Sequence, residues 1–181
     1  MLTRLVGTVV LILGLSVSAY AKDPEDLKVF RDISKQVLTY TRFTIFDSVH
    51  ASIDEGVVTL TGKVTMPYKS TDIAKRVARV EGVREVNNKI EVLPVSIFDD
   101  ELRYRIARSI YGNSSFSHYA SMVNPPIHVI VERGRVTLEG VVNSNVERML
   151  ARSLASNSLA FSVTNNLKTD AEMKAGLEKM N

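Results

Sequence analysis

The feature that most constrains this chain is an internal repeat. Gly56-Val57-Val58-Thr59-Leu60-Thr61-Gly62-Lys63-Val64 recurs 78 residues later as Gly134-Arg135-Val136-Thr137-Leu138-Glu139-Gly140-Val141-Val142, with six of nine positions identical. The same offset carries Asn87-Asn88 onto Asn165-Asn166 and His50 onto His128. Between these blocks, Ile73-Ala74-Lys75-Arg76-Val77-Ala78 matches Leu150-Ala151-Arg152-Ser153-Leu154-Ala155 at an offset of 77. One residue is thus lost and regained in the loops around a helix. The chain folds as two copies of one unit.

Each copy is legible from local physics. Asp23 followed by Pro24, Glu25 and Asp26 is a helix start: a cap, a proline in the first turn, and acids at the positive end of the dipole. Phe30, Ile33 and Val37 then recur at helical spacing, as do Leu102, Ile106 and Ile110 behind a start at Asp99 or Asp100. A hairpin follows. Val49 to Ile53 and Val57 to Thr61 flank Asp54-Glu55-Gly56; Ile127 to Val131 and Arg135 to Glu139 flank Glu132-Arg133-Gly134. These spacings predict three-residue turns with glycine at the positive-φ position, and second strands ended by Gly62 and Gly140. A second helix is expected around Ser70 to Val80 and Val146 to Ser156, then a strand over Val86 to Val92 and Val163 to Thr169. The fold class is α+β: two tandem αββαβ units, each a three-stranded mixed sheet with two helices on one face. The units span 22–92 and 99–168, with a linker at 93–98 and a tail at 169–181. In the tail, Thr169 and Glu172 have capping-box spacing for a short helix.

The N-terminus predicts the compartment. Arg4 precedes an almost wholly apolar run from Leu5 to Val17, and Ala19-Tyr20-Ala21 sets small residues where a signal peptidase reads. This is a secretory leader over 1–21, cleaved after Ala21. The alternative, a retained anchor, needs about 20 apolar residues. The chain has no cysteine, so it has no disulfide, thiol nucleophile, Cys-based metal site or lipidated cysteine behind the leader. The expected location is the bacterial periplasm. The net charge is +3, or +2 without Arg4, and no Lys/Arg-rich run marks nucleic-acid binding.

The repeated Gly-x-Val-Thr-Leu-x-Gly-x-Val hairpin, then a helix, then a strand opened by Asn-Asn, resembles the BON domain of osmotically inducible protein Y and bacterial nodulation proteins. It runs from Gly56 to Asn88 and again from Gly134 to Asn166. The resemblance implies a non-enzymatic role at the cell envelope: phospholipid binding, osmotic or stress protection, or contact with membrane proteins. It brings no catalytic residue set and no cofactor. The helix-to-strand glycine signal is Gly82-Val83 in the first copy and Ala160-Phe161 in the second.

Candidate residues follow. On the first helix of the second unit, Tyr104, Arg108 and Tyr111 are expected to point outward with Arg105 on the flank. Arginine pairs with phosphate and tyrosine suits a membrane interface, so this face is a candidate for anionic phospholipid. The matching face of the first unit has Lys28, Arg31, Asp32 and Lys35 but no aromatic. The Gly112 to Pro126 loop is five residues longer than its counterpart and holds Phe116, His118, Tyr119 and Met122. It either touches a lipid or protein partner or folds back over the sheet edge. His50 and His128 lack a ligand cluster and are expected on outer strand faces, not on a metal. Gly56, Gly62, Asn87, Asn88, Gly134, Gly140, Asn165 and Asn166 are turn and scaffold residues. The sequence has no Gly-x-Ser-x-Gly, Gly-rich phosphate loop or His-Glu-x-x-His motif. Besides membrane binding, the pattern suits a chaperone-like module for exported or outer-membrane proteins.

Overall fold

The computed structural model describes residues 9–12, 16–18 and 24–178. The expected cleavage site at Ala19-Tyr20-Ala21 and the Asp23 cap lie outside them. Within the stretch where a leader is expected, β1 (Val9–Ile12) and β2 (Ser16–Ser18) are extended strands paired antiparallel. The first unit continues through α1 (Pro24–Leu38), β3 (Ser48–Asp54), β4 (Val57–Val64), α2 (Pro67–Val77) and β5 (Glu85–Val92). The second has α3 (Ile97–Tyr111), a 3-10 turn at Ser114–Phe116, α4 (Ser117–Ala120), β6 (Ile127–Glu132), β7 (Arg135–Val142), α5 (Asn145–Ser156), β8 (Ser162–Asn165) and β9 (Lys168–Thr169). A closing helix, α6, runs over Asp170–Glu178.

The chain is α+β and carries the unit twice. In each copy a hairpin pairs antiparallel and the returning strand pairs parallel with the hairpin's second strand, giving a mixed sheet. The first sheet runs β2-β1-β3-β4-β5, because β1 pairs antiparallel with the outer edge of β3. The second runs β6-β7-β8, with β9 also on β7. Period-two alternation sends Val49, Ala51 and Ile53 into one core and Val129 and Val131 into the other. Each unit therefore has its own core, with Ile33, Val37, Ile73 and Val77 closing the first and Leu102, Ile106, Ile110 and Ala151 the second. Full burial of one such side chain is worth ~1.5–3 kcal/mol.

Several expectations are corrected. The hairpins have two-residue turns: Asp54 pairs with Val57 and Glu132 with Arg135. Both turn residues take positive φ, Glu55 at 46° with Gly56 at 79°, and Arg133 at 51° with Gly134 at 72°. That is the geometry whose twist matches the strands. Gly62 and Gly140 do not end their strands; they lie inside β4 and β7. The second-unit helix starts at Ile97, because Ser96 accepts from the Asp99 amide as its cap. In the first unit α2 starts earlier than expected, with Pro67 in its first turn.

The final strand corrects the repeat register. Leu60 pairs with Asn88, and its counterpart Leu138 pairs with Asn165. The side chains agree: Asn88 Nδ2 donates to Ser70 O (3.3 Å) and Asn165 Nδ2 to Arg148 O (2.9 Å). Asn88 is therefore equivalent to Asn165, at an offset of 77, and the residue lost before the helix is not regained. The strand expected over Val163 to Thr169 is split at Asn166-Leu167 into β8 and β9. The tail capping box forms as its spacing indicates: Thr169 N donates to Glu172 Oε2 (2.8 Å), and Glu172 N to Thr169 Oγ1 (3.2 Å).

Candidate functional site

The offset of 77 changes which residues of the two copies stand in one place. Gly82, at φ 91°, is matched by Leu159, at φ 63°, not by Ala160. Arg84 is matched by Phe161; each donates its backbone N–H to the turn glycine, Gly56 or Gly134. The second unit has thus replaced a glycine and an arginine by leucine and phenylalanine. Both are exposed, Leu159 at 79% and Phe161 at 80%. The Phe161 ring lies against Gly134, where an added Cβ would meet it at 2.5 Å. Phe98, on the first turn of α3, faces it with ring centroids 6.5 Å apart. Arg105, two turns further along α3, donates from Nη1 to Ser158 O at 3.3 Å. That contact ties the helix to the base of the Leu159–Phe161 loop. The result is an apolar tip with a guanidinium at its side.

The predicted α3 face divides. Tyr104, Arg105 and Arg108 are exposed. Tyr104 meets Phe46 of the first unit edge-on, with centroids 5.1 Å apart. Tyr111 does not point outward. Its hydroxyl donates to Ile127 O (2.6 Å) and accepts from Ile127 N (3.1 Å), so it satisfies the start of β6. Burial pushes its phenol well up from the ordinary value. The sequence missed Phe98, Leu159 and Phe161; an apolar pair where the first copy has Gly82 and Arg84 was the available signal, hidden by the wrong register.

The long loop folds back with its phenylalanine and its tyrosine inward. Phe116 and Tyr119 are buried in the second core, while His118 and Met122 are exposed. The Tyr119 hydroxyl donates to Glu147 Oε2 (2.8 Å) and accepts from Asn143 N (2.9 Å). In the first unit the same corner amide, Thr65 N, donates to Asp47 Oδ1 at 2.8 Å. The extra loop residues thus supply in the second unit what one aspartate supplies in the first.

Asp47 is the centre of the joint between the units. It is fully buried and also accepts from Thr44 N, Thr44 Oγ1, Thr65 Oγ1 and, at 2.7 Å, Lys69 Nζ. This holds the segment before β3 in the shape that meets the second unit. Val129 N donates to Ile45 O (2.7 Å), which caps the open edge of β6. His128 does leave the outer face of its strand but enters this joint and is buried; its Nδ1 lies 2.6 Å from Asp47 O and its ring packs on Phe43. His50 Nε2 reaches Glu139 Oε2 at 3.2 Å, and Ser48 Oγ donates to the same carboxylate. Among the described residues, no three His, Cys, Asp or Glu side chains gather at metal-binding geometry.

These pairings set a pH dependence. Burial holds the His128 pKa below its ordinary 6.5, outweighing the Asp47 carbonyl and the Glu139 and Asp47 charges. Because the folded value is depressed, the unfolded chain takes the proton first; stability is full above pH ~6.5 and falls as pH drops through the folded value. Burial alone would raise Glu139, but hydrogen bonds from His50 and Ser48 hold it below 4.5, so its contribution is lost only at lower pH. Urea midpoints should therefore fall between pH 7 and 5.5, by at most ~1.4 kcal/mol of stability per pH unit from His128. His128→Gln should flatten that slope; an unchanged slope would show that His128 does not set it.

Of the comparisons with known proteins, the family model bears on this construction. Among curated proteins none matches the chain. A solved structure of CdsD, a structural protein of the type III secretion system of Chlamydia trachomatis, is similar at 14% identity and a TM-score of 0.30, over 85% of this chain and 99% of that one. At that score the likeness carries no argument. The BON domain model matches residues 31–94 and 102–171, one match for each αββαβ copy. With two copies of that fold built on two separate cores, the chain belongs to the BON domain family.

Proposed function

We propose that this protein is a binding module of the cell envelope whose second unit docks on anionic phospholipid surfaces. In this reading it is exported on its leader, released after Ala21 and acts in the periplasm without catalysis. The observation that carries it is Leu159. A leucine in the left-handed region costs about 1 kcal/mol over an ordinary conformation, and this one is also left 79% exposed. Phe161 and Phe98 add aromatic area beside it, and Arg105 and Arg108 stand on the exposed side of α3 to meet phosphates. Such a tip suits shallow, reversible insertion: apolar side chains enter the boundary while guanidinium groups stay at headgroup depth.

Co-sedimentation with vesicles tests it. The protein should pellet with phosphatidylglycerol- or cardiolipin-rich vesicles at low salt, and less as salt rises. The pair Leu159→Ser and Phe161→Ser should weaken binding by at least about tenfold, since each buried side chain contributes ~1.5–3 kcal/mol. Arg105→Ala with Arg108→Ala should weaken it and reduce its salt dependence. A protein that stays in the supernatant with anionic vesicles at low salt would sink the reading. A second reading, a chaperone-like module for exported proteins, draws on Val95 and Ile97, exposed at 100% and 79% at the linker's end. It expects suppressed aggregation of an unfolded client with no vesicles present.

A further inference from the structure

The open face of the second sheet, opposite its helices, forms the floor of a cleft of about 270 Å³. Strand register lays its side chains in two rows: Glu132, Arg135 and Ser162 across one, Ile130, Thr137 and Thr164 across the next. One wall comes from the other unit, where Lys63 of β4 reaches across to pair with Glu132 and, at 3.5 Å, with Glu91. The first unit thus closes one side of the cleft through Lys63.

The chemistry of the lining is one-sided. Its single carboxylate, Glu132, is held by Lys63. Arg135 has no ion-pair partner among the described residues, nor has Arg133 in the adjoining turn. Two guanidinium groups and three hydroxyls, on Thr137, Ser162 and Thr164, thus face one small concave space with donors to spare. A ligand that satisfies them must be rich in acceptor oxygens and negatively charged. Guanidinium forks match the paired oxygens of a phosphate, and hydroxyls can both give to and take from the alcohol groups of a polyol.

We infer that this cleft binds the phosphate ester of a small polyol, with Arg135 on the phosphate and Thr137, Ser162 and Thr164 on the remaining oxygens. The ester is either free or the headgroup of a glycerophospholipid. Phe161 directly precedes Ser162, so the cleft opens beside the apolar tip, but the inference does not depend on membrane docking.

The test is an NMR titration of the purified protein with glycerol 3-phosphate, with uncharged glycerol as the reference. Amides of Arg135, Thr137, Ser162 and Thr164 should shift and saturate at millimolar ligand, and should not move with glycerol. Arg135→Ala should weaken binding by about tenfold or more, the loss of a charge-assisted pair; Arg79→Ala, on the surface of the first unit, should leave it unchanged. Lys63→Met releases Glu132 to face Arg135 and should weaken binding too, without touching the phosphate. Tighter binding of monomeric short-chain phosphatidylglycerol at the same amides identifies a lipid headgroup as the source; tighter binding of glycerol 3-phosphate identifies a soluble ester. The inference is overturned if the cleft amides stay still, or if shifts persist unchanged in Arg135→Ala. Vesicle pelleting that depends on Leu159 and Phe161, together with cleft amides that stay still with both ligands, would leave membrane docking standing while removing the cleft.

Discussion

Asp47→Ala is expected to destabilise the protein by ~3–5 kcal/mol, the usual result of removing one partner of a buried ion pair. Asp47 is fully buried and Lys69 nearly so, and the aspartate also takes the hydrogen bonds of Thr44 and Thr65. Its loss leaves a buried ammonium group with no counter-charge and only the Thr65 hydroxyl to donate to, and leaves the Thr44 and Thr65 amides without their acceptor. The segment before β3 then loosens. With it go the Ile45 carbonyl that caps β6 and the Asp47 carbonyl that receives His128. Urea denaturation should show the lowered midpoint, and amide exchange should quicken along β6 as well as around the mutated corner. The double variant Asp47→Ala with Lys69→Met should be less destabilised than the sum of the two single changes, because no charge is left stranded. Additive effects would mean that the two side chains do not act as a pair.

Gly140→Ala is expected to be nearly as damaging, at ~3–5 kcal/mol, by a different route. Gly140 has φ 123°, outside the regions open to alanine, and an added Cβ would stand 1.8 Å from the carbonyl oxygen of Pro126. That neighbour is main chain leading into β6, so no side-chain rotation relieves the contact. The strand must shift, and the pairing of Ile127 with Gly140 goes with it. Gly62 is in the same position over Ser48 O, at 2.2 Å. A thermal melt should show a large drop in Tm for either alanine variant. A Gly140→Ala protein that melts within a degree or two of the parent would refute the crowding argument.

The sequence by itself determined the duplicated unit, its order of elements and the strand and helix residues that face each core. These depend on properties a few residues long: alternation along Val49 to Ile53, helical spacing through Leu102, Ile106 and Ile110, and glycines that permit positive φ. It also carried the tail's capping box, whose two hydrogen bonds join residues three apart. The tertiary structure decided the register of the last strand, and with it that Leu159 and Phe161 replace Gly82 and Arg84. Local pattern could not supply that step, since adjacent asparagines look the same at either offset and only pairing with Leu138 distinguishes them. It likewise decided that Phe116 and Tyr119 turn inward while Leu159 and Phe161 stay out, because burial depends on which distant elements close over a side chain. The joint and the cleft belong wholly to this level. Asp47 meets His128 from 81 positions away and Lys63 meets Glu132 from 69, and no periodicity connects residues that only the packing of one unit on the other brings together.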